Sequence, residues 1–199
     1  MPRGRPPSFD RDEVLTRLLF LFWEKGYDGT SQSDMVERAG ISSSSLYNAF
    51  GNKPDIFATV AKRYNQMMWA GLAPLREGAA GIRDVVAFFQ GAADQTRAAQ
   101  TPPGCLMVRT MTELGGRPQA PPAADRCTST YQTQIVDAVR QALTRASDAR
   151  EITPEEIEPK TQIVLTLMLG AMAVAVSNRE AGAAMLENAR ALVEDWHNA

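Results

Sequence analysis

The stretch from Thr30 to Lys53, TSQSDMVERAGISSSSLYNAFGNK, constrains the fold more than any other part of the chain. Ser31 with Asp34 has the spacing of a capping box, which starts a helix near Gln32. Met35 and Val36 supply its apolar side, and Gly40 supplies the permissive backbone that ends it after Ala39. Ser42 is then the natural N-cap of a second short helix, with Ile41 and Leu46 at the hydrophobic-staple positions. Leu46, Ala49 and Phe50 recur at helical spacing and face inward, leaving Ser43, Ser44, Tyr47 and Asn48 on the opposite face. Two short helices joined this tightly are the pattern of a helix-turn-helix, whose second helix enters the DNA major groove by its N-terminal end. Serine and asparagine can contact phosphates or base edges, and a helix N-terminus attracts phosphate. Asn52 caps a further helix that begins at Lys53-Pro54, from where Lys53 reaches the backbone across the groove. Taken alone, the same pattern also fits a capped, solvated helix pair in any helical protein.

Upstream, Asp10 and Glu13 have capping-box spacing and Phe9 with Val14 occupy the staple positions. Leu15, Leu18, Leu19 and Phe22 then predict a first helix that packs on Met35, Val36, Leu46 and Phe50 and ends at Gly26. Ahead of it, Arg3 and Arg5 stand in a Pro/Gly-rich arm, and such arms can lay arginine into the minor groove. The net charge of −2 excludes a polybasic binder that holds DNA by charge alone. A weakly charged reader depends on geometry, and dimerisation would double its contacts.

Phe22-Trp23, Gly26-Tyr27, Gly29-Thr30-Ser31, Ala39-Gly40-Ile41-Ser42, Ser45-Leu46-Tyr47, Phe50, Lys53 and Phe57 together resemble the N-terminal signature of TetR-family transcriptional regulators. The resemblance covers about the first third of the chain. It implies a ligand-responsive homodimeric repressor that binds double-stranded DNA at a palindromic operator. By position it assigns Thr30, Ser31, Tyr47 and Lys53 to phosphates, and leaves Ser43, Ser44 and Asn48 as base-facing candidates. It also implies that the long helix from Lys53 joins residues 1–53, the DNA-binding unit, to residues 54–199, the effector-binding and dimerisation unit.

The rest of the chain reads as helix throughout, because it is alanine-rich and few stretches are strongly β-branched. The helix from Lys53 runs towards Ala73-Pro74. Five more segments follow: Ile82 to Ala99, Cys105 to Leu114, Ala124 to Ala146, Lys160 to Ser177 and Ala181 to Trp196, separated by Pro/Gly-rich turns. The expectation is an all-α protein of about nine helices, with a three-helix helix-turn-helix domain leading a helical body. Met68, Trp69, Phe88, Phe89, Cys105, Met107, Met111 and Tyr131 are candidates for an effector pocket in that body; the bland alternative for such residues is plain core.

The segment from Lys160 is apolar nearly all round and must be covered on every side. With the last helix from a second subunit it would close a four-helix bundle about a two-fold axis. Leu165, Met168, Met172, Val176, Met185, Leu192 and Trp196 are therefore the candidate dimer interface. The longest apolar run, Ile163 to Val176, is short of the ~20 residues a membrane-spanning helix needs, and no secretory signal precedes it. A cytoplasmic protein without a membrane partner is expected.

Chemistry other than binding finds little support. The one histidine, His197, lies among the last three residues. No phosphate-cradling glycine loop, carboxylate pair or CxxC motif is present, so neither an enzyme, a cofactor nor a metal is expected. Cys105 is the exception worth following. It comes after Pro-Pro-Gly at a helix start, a setting that raises thiol reactivity. The segment Gly104-Cys105-Leu106 resembles a TetR subgroup in which some members sense oxidants, electrophiles or metals. Two alternatives therefore stand beside the repressor: a thiol-based sensing regulator working through Cys105, with Cys127, Met107 and Met111 as soft ligands for copper(I), and a helical small-molecule-binding or interaction module that does not read DNA.

Overall fold

The computed structural model describes residues 9–98 and 100–197; the arm with Arg3 and Arg5 lies outside them. Among the described residues there are ten α-helices and no strand: α1 Arg11–Lys25, α2 Gln32–Ala39, α3 Ser43–Phe50, α4 Lys53–Gly71, α5 Ala73–Glu77, α6 Ile82–Arg97, α7 Leu106–Leu114, α8 Pro122–Asp148, α9 Ile157–Ala175 and α10 Arg179–Glu194.

Local chemistry accounts for the boundaries of the first four. Asp10 accepts from the amides of Asp12 and Glu13. The expected reciprocal bond from Glu13 does not form, because its carboxylate turns to Arg17 at 2.5 Å. Two full capping boxes do form. Ser31 Oγ accepts from Asp34 N at 3.1 Å while Ser31 N donates to Asp34 Oδ2 at 2.8 Å. Asn52 and Asp55 exchange the same pair at 3.1 and 3.0 Å. Gly40 ends α2 at φ 68°, ψ 26°, the left-handed geometry that turns the chain into α3.

α4 is shared. Its first turns pack on α1 through Phe57, whose ring meets Phe22 at 5.4 Å and Tyr27 at 5.1 Å. Its later turns lie against α8, where Asn65 Nδ2 donates to the Cys127 carbonyl at 2.9 Å. The chain breaks at Leu72 and restarts as α5, a helix that the sequence pattern merges into α4; Pro74 stands in its first turn. Arg145 of α8 fastens this corner, donating to Leu75 O at 2.6 Å and pairing with the buried Asp84 at 3.0 Å.

α9 and α10 pack against each other and, through α10, against α6. The helical stretch 154–175 is longer than the apolar run within it and, by length and composition only, long enough to cross a membrane; an 18-residue window in it has a mean hydropathy of 1.2 and is 28% buried. Ile163, Met185 and Leu192 are exposed on the two helices. Met168 faces the other way, 3% exposed, which corrects its assignment to the dimer face. Val176 and Leu165 are half-buried, and Trp196 lies under Lys160 Nζ at 4.3 Å.

Candidate DNA interface and effector cavity

The head presents one helix end that differs from its neighbours. α1, α2 and α4 each begin with acidic residues in the first turn, namely Asp12 and Glu13, Asp34, and Asp55. α3 begins Ser43-Ser44-Ser45 and carries none. Its amide end therefore keeps its positive potential for an outside anion. Ser42, Ser43, Ser44 and Asn48 are exposed there, with Ser42 Oγ held by Ser45 and Ser44 at 2.8 and 3.1 Å. At the other end Arg11 donates to Ala49 O at 2.8 Å and stacks over Phe50 at 4.7 Å, so α3 is held by its C-terminus.

Cations around α3 are already engaged within the head. Lys25 pairs with Asp34 at 2.7 Å and Arg38 with Glu24 at 2.7 Å. The hydrogen bond from Lys25, followed by those from Ser31, holds the Asp34 carboxyl well below the usual carboxylate range. Lys53 lays its ammonium over the Tyr27 ring at 4.4 Å. Burial, and then the Asp28 charge, raises the Tyr27 phenol above its ordinary value.

Of the residues read as DNA contacts, Ser31, Ser43, Ser44 and Asn48 are exposed and Lys53 is half-buried. Two are placed otherwise. Thr30 is fully buried, and its hydroxyl donates to Gly26 O at 2.6 Å, so it shapes the α1–α2 turn and reaches no phosphate. Tyr47 packs against the core with its hydroxyl enclosed and unpartnered. Gln32 and Ser33, which no sequence pattern singles out, line the groove between α2 and α3 together with Ser43 and Tyr47. Their position at the start of α2, facing α3, is a tertiary fact with no local signature.

The body holds a cavity of about 370 Å³ lined by α4, α6, α8 and α9 together with the segment that leads into α7. Met68, Phe88, Cys105 and Tyr131 line it as expected. Trp69 does not: it stacks under Arg76 at 3.8 Å on the surface. Phe89 and Met107 are fully buried in core outside the lining, and Met111 Sδ accepts from Gln132 Nε2 at 3.1 Å. Met168 and Met172, candidates for the dimer face by sequence, both line this cavity, Met172 remaining half-buried. Cys105 is buried at the N-cap of α7, with its Sγ 3.3 Å from Tyr131 Oη, which in turn approaches Met168 Sδ at 3.9 Å. Burial keeps both Tyr64 and Tyr131 far from ionising, with Cys105 adding to it. Burial also raises the Cys127 thiol. Among the described residues no group of three or more His, Cys, Asp or Glu is placed to hold a metal ion.

The cavity and the head share a wall, which the sequence did not disclose. Trp23 of α1 lines the cavity, meets Tyr64 edge-on at 4.9 Å and donates from Nε1 to the Gly104 carbonyl at 3.1 Å. From the far end of α7, the Glu113 carboxylate accepts from the amides of Tyr27 at 3.0 Å and Asp28 at 2.5 Å. Arg117 pairs with Asp28 at 2.6 Å.

Residues 18–60 match the profile of "Bacterial regulatory proteins, tetR family". The chain is 37% identical over 114 residues to the HTH-type transcriptional repressor ComR of Escherichia coli, a match covering 56% of this chain and 54% of ComR. It is 29% identical over 158 residues to the HTH-type transcriptional regulator YezE of Bacillus subtilis, covering 78% of this chain and 79% of that one. Among solved structures it is similar to the TetR family regulator CifR, a cysteine mutant complexed with 26-bp double-strand operator DNA. That likeness has a TM-score of 0.80 at 27% identity and covers 94% of this chain and 98% of the other.

Proposed function

We propose that the chain is a DNA-binding transcriptional regulator of the TetR family and not an enzyme, and more closely that it is a cytoplasmic homodimeric repressor released from a palindromic operator by a small-molecule effector. The observation that carries this is the N-terminal turn of α3: exposed, made of serines, and alone among the first four helices in starting without a carboxylate. Ser43, Ser44 and Asn48 face the bases in this reading. Ser31, Lys53 and the α3 amides hold the flanking phosphates, with Arg3 and Arg5 assigned to the minor groove. Residues 1–53 carry the reading head and 54–199 the effector and dimer functions.

The exposed Ile163, Met185 and Leu192, with the low burial of residues 154–175, support a second copy as the cover for α9 and α10. A two-fold contact there would set two α3 helices on one face of the duplex, about 34 Å apart. The cavity is the effector site. Its occupancy biases α4, which begins in the head and ends at the cavity, so that the two heads lose the groove spacing; the effector must prefer one form by several kcal/mol to switch occupancy fully.

DNase footprinting on DNA upstream of the chain's own gene tests this. A two-half-site footprint is expected, and Asn48→Ala should weaken it by about 1–3 kcal/mol without lowering the melting temperature. No saturable footprint at low salt would leave the non-DNA-binding module standing in its place.

A further inference from the structure

Three features of the cavity specify what it holds. First, among the described residues that line it none carries a charge. The wall is methionine, aromatic and aliphatic carbon with a few neutral polar groups, and an ion entering it would lose its hydration without a countercharge. Second, one buried hydroxyl of the lining is poorly served. Tyr131 is 5% exposed, and its Oη finds only sulfur, Cys105 Sγ at 3.3 Å and Met168 Sδ at 3.9 Å. Sulfur is a weak donor and a weak acceptor, so this hydroxyl keeps most of its hydrogen-bonding capacity for an oxygen placed in the cavity. Burial holds it protonated, hence a donor.

Third, two exposed glycines, Gly71 and Gly91, stand in the lining. Ala87, Phe88, Gly91, Ala92, Gln95 and Thr96 recur along one face of α6 and form a wall; across from it stands the end of α4 with Met67, Met68 and Gly71. Gly71 and Gly91 are exposed, and a Cβ built on either meets no atom within 4 Å. Glycine inside α6 weakens the helix and here relieves no crowding. Its effect is to leave the space between α4 and α6 clear.

We infer that the cavity takes an uncharged, mainly apolar molecule carrying one oxygen acceptor at its leading end, entering between Gly71 and Gly91 and seating that oxygen on Tyr131 against Trp23. The inference rests on reading the cavity as the effector site, and adds the class of compound. Arg179 steadies the rim by donating to the carbonyls of Thr96, Ala98 and Thr101 at 2.8, 2.6 and 2.7 Å, which leaves its charge outside the lining.

Isothermal titration calorimetry of the full chain with three naphthalenes of one shape tests it: 2-acetylnaphthalene, 2-ethylnaphthalene and 2-naphthoate. The ketone should bind saturably, roughly fivefold tighter than the ethyl compound, and more than about tenfold tighter than the carboxylate. Tyr131→Phe should erase the ketone's advantage over the ethyl compound. Gly91→Leu and, separately, Gly71→Leu should weaken the ketone, since the Cβ at each position meets open space beside the cavity. Equal or tighter binding of 2-naphthoate, undiminished ketone binding in both leucine variants, or no binding of either neutral compound would overturn the inference. Footprinting the same preparations without ligand keeps the two readings apart: a footprint with failed ligand selectivity sinks only the compound class, and lost DNA binding with intact selectivity sinks only the regulator.

Discussion

Around Phe57 the chain closes completely: its ring meets Phe22 of α1 at 5.4 Å and Tyr27 of the α1–α2 turn at 5.1 Å, and Phe57 is fully buried. Around Phe88, on the wall of the body, a ring of the same kind borders about 370 Å³ of space and is only half-buried. The head must hold α3 in one attitude, and dense aromatic packing does that. The body must admit a guest and respond to it, which a filled core could not do. One chain thus uses phenylalanine to close space in one region and to border it in another.

Truncating the two rings breaks or keeps that contrast. Phe57→Ala should lower unfolding free energy by about 3–5 kcal/mol, the cost of a ring removed from a close-packed site. Phe88→Ala should cost less than about 1.5 kcal/mol, because its far side already faces space and little new cavity is made. Urea midpoints at constant slope measure both. Equal losses would mean that the body is as tightly packed as the head.

The contrast sharpens where the two regions touch. The segment leading into α7 lies at the cavity and the last turn of α7 at the head: Gly104 takes the Trp23 indole, and Glu113 takes the amides of Tyr27 and Asp28. A charged acceptor serving two backbone donors outweighs the screened Arg117–Asp28 pair beside it, whose partners are both exposed. Glu113→Ala should therefore release the α1–α2 turn by about 1–2 kcal/mol, read as faster hydrogen exchange at the Tyr27 and Asp28 amides with the α8 amides unchanged. It should also blunt the effect of a cavity ligand on DNA affinity. Unaltered exchange at those two amides would remove α7 as the link.

What could be read beforehand divides along the same line. Caps and turns in the head involve residues three or four apart, so Ser31 with Asp34, Ser42, Asn52 with Asp55, and Gly40 were legible from local chemistry. Thr30 was misassigned because its hydroxyl turns back to Gly26 O, a choice set by burial of the turn and invisible in spacing. The body has local caps as well, Thr153 with Glu156 and Asn178 ahead of α10, but they fix where helices start and not which faces line the cavity. α9 is apolar on nearly every side, so no period marks which methionines face in; Met168 and Met172 proved to be cavity wall and Ile163 to be exposed. Trp23 belongs by sequence to the first helix and by contact to the cavity, across 81 residues to Gly104. α5 was hidden because Leu72 and Ala73 continue the apolar pattern of α4 and only the backbone at Leu72, φ −86° and ψ 1°, leaves it.

The smallest expected effect separates the regions by acid sensitivity. Asp34 in the head is held below the ordinary carboxylate range first by Lys25 and then by Ser31. Glu156, Glu158 and Glu187 in the body are lowered as well, Glu156 chiefly by the Thr153 amide, Glu158 by Gln162 and Arg140, and Glu187 by Arg97. A carboxyl whose folded pKa is depressed binds protons more readily when unfolded, so its contribution is complete above the unfolded value, about 4, and is lost as pH falls through the folded one. The head and the body should therefore both weaken in acid, and Asp34→Asn should flatten only the head's share. That variant also loses an acceptor: a side-chain amide has a single oxygen, whereas the carboxylate uses one oxygen for Lys25 and the other for the Ser31 amide. All four carboxylates are reached by solvent, so screening by salt should shrink these differences. Melting curves between pH 7 and about 3, followed by exchange at the Met35 and Leu46 amides for the head and at α8 for the body, measure the two shares. An acid slope at Met35 that survives Asp34→Asn would place the head's proton-binding group elsewhere.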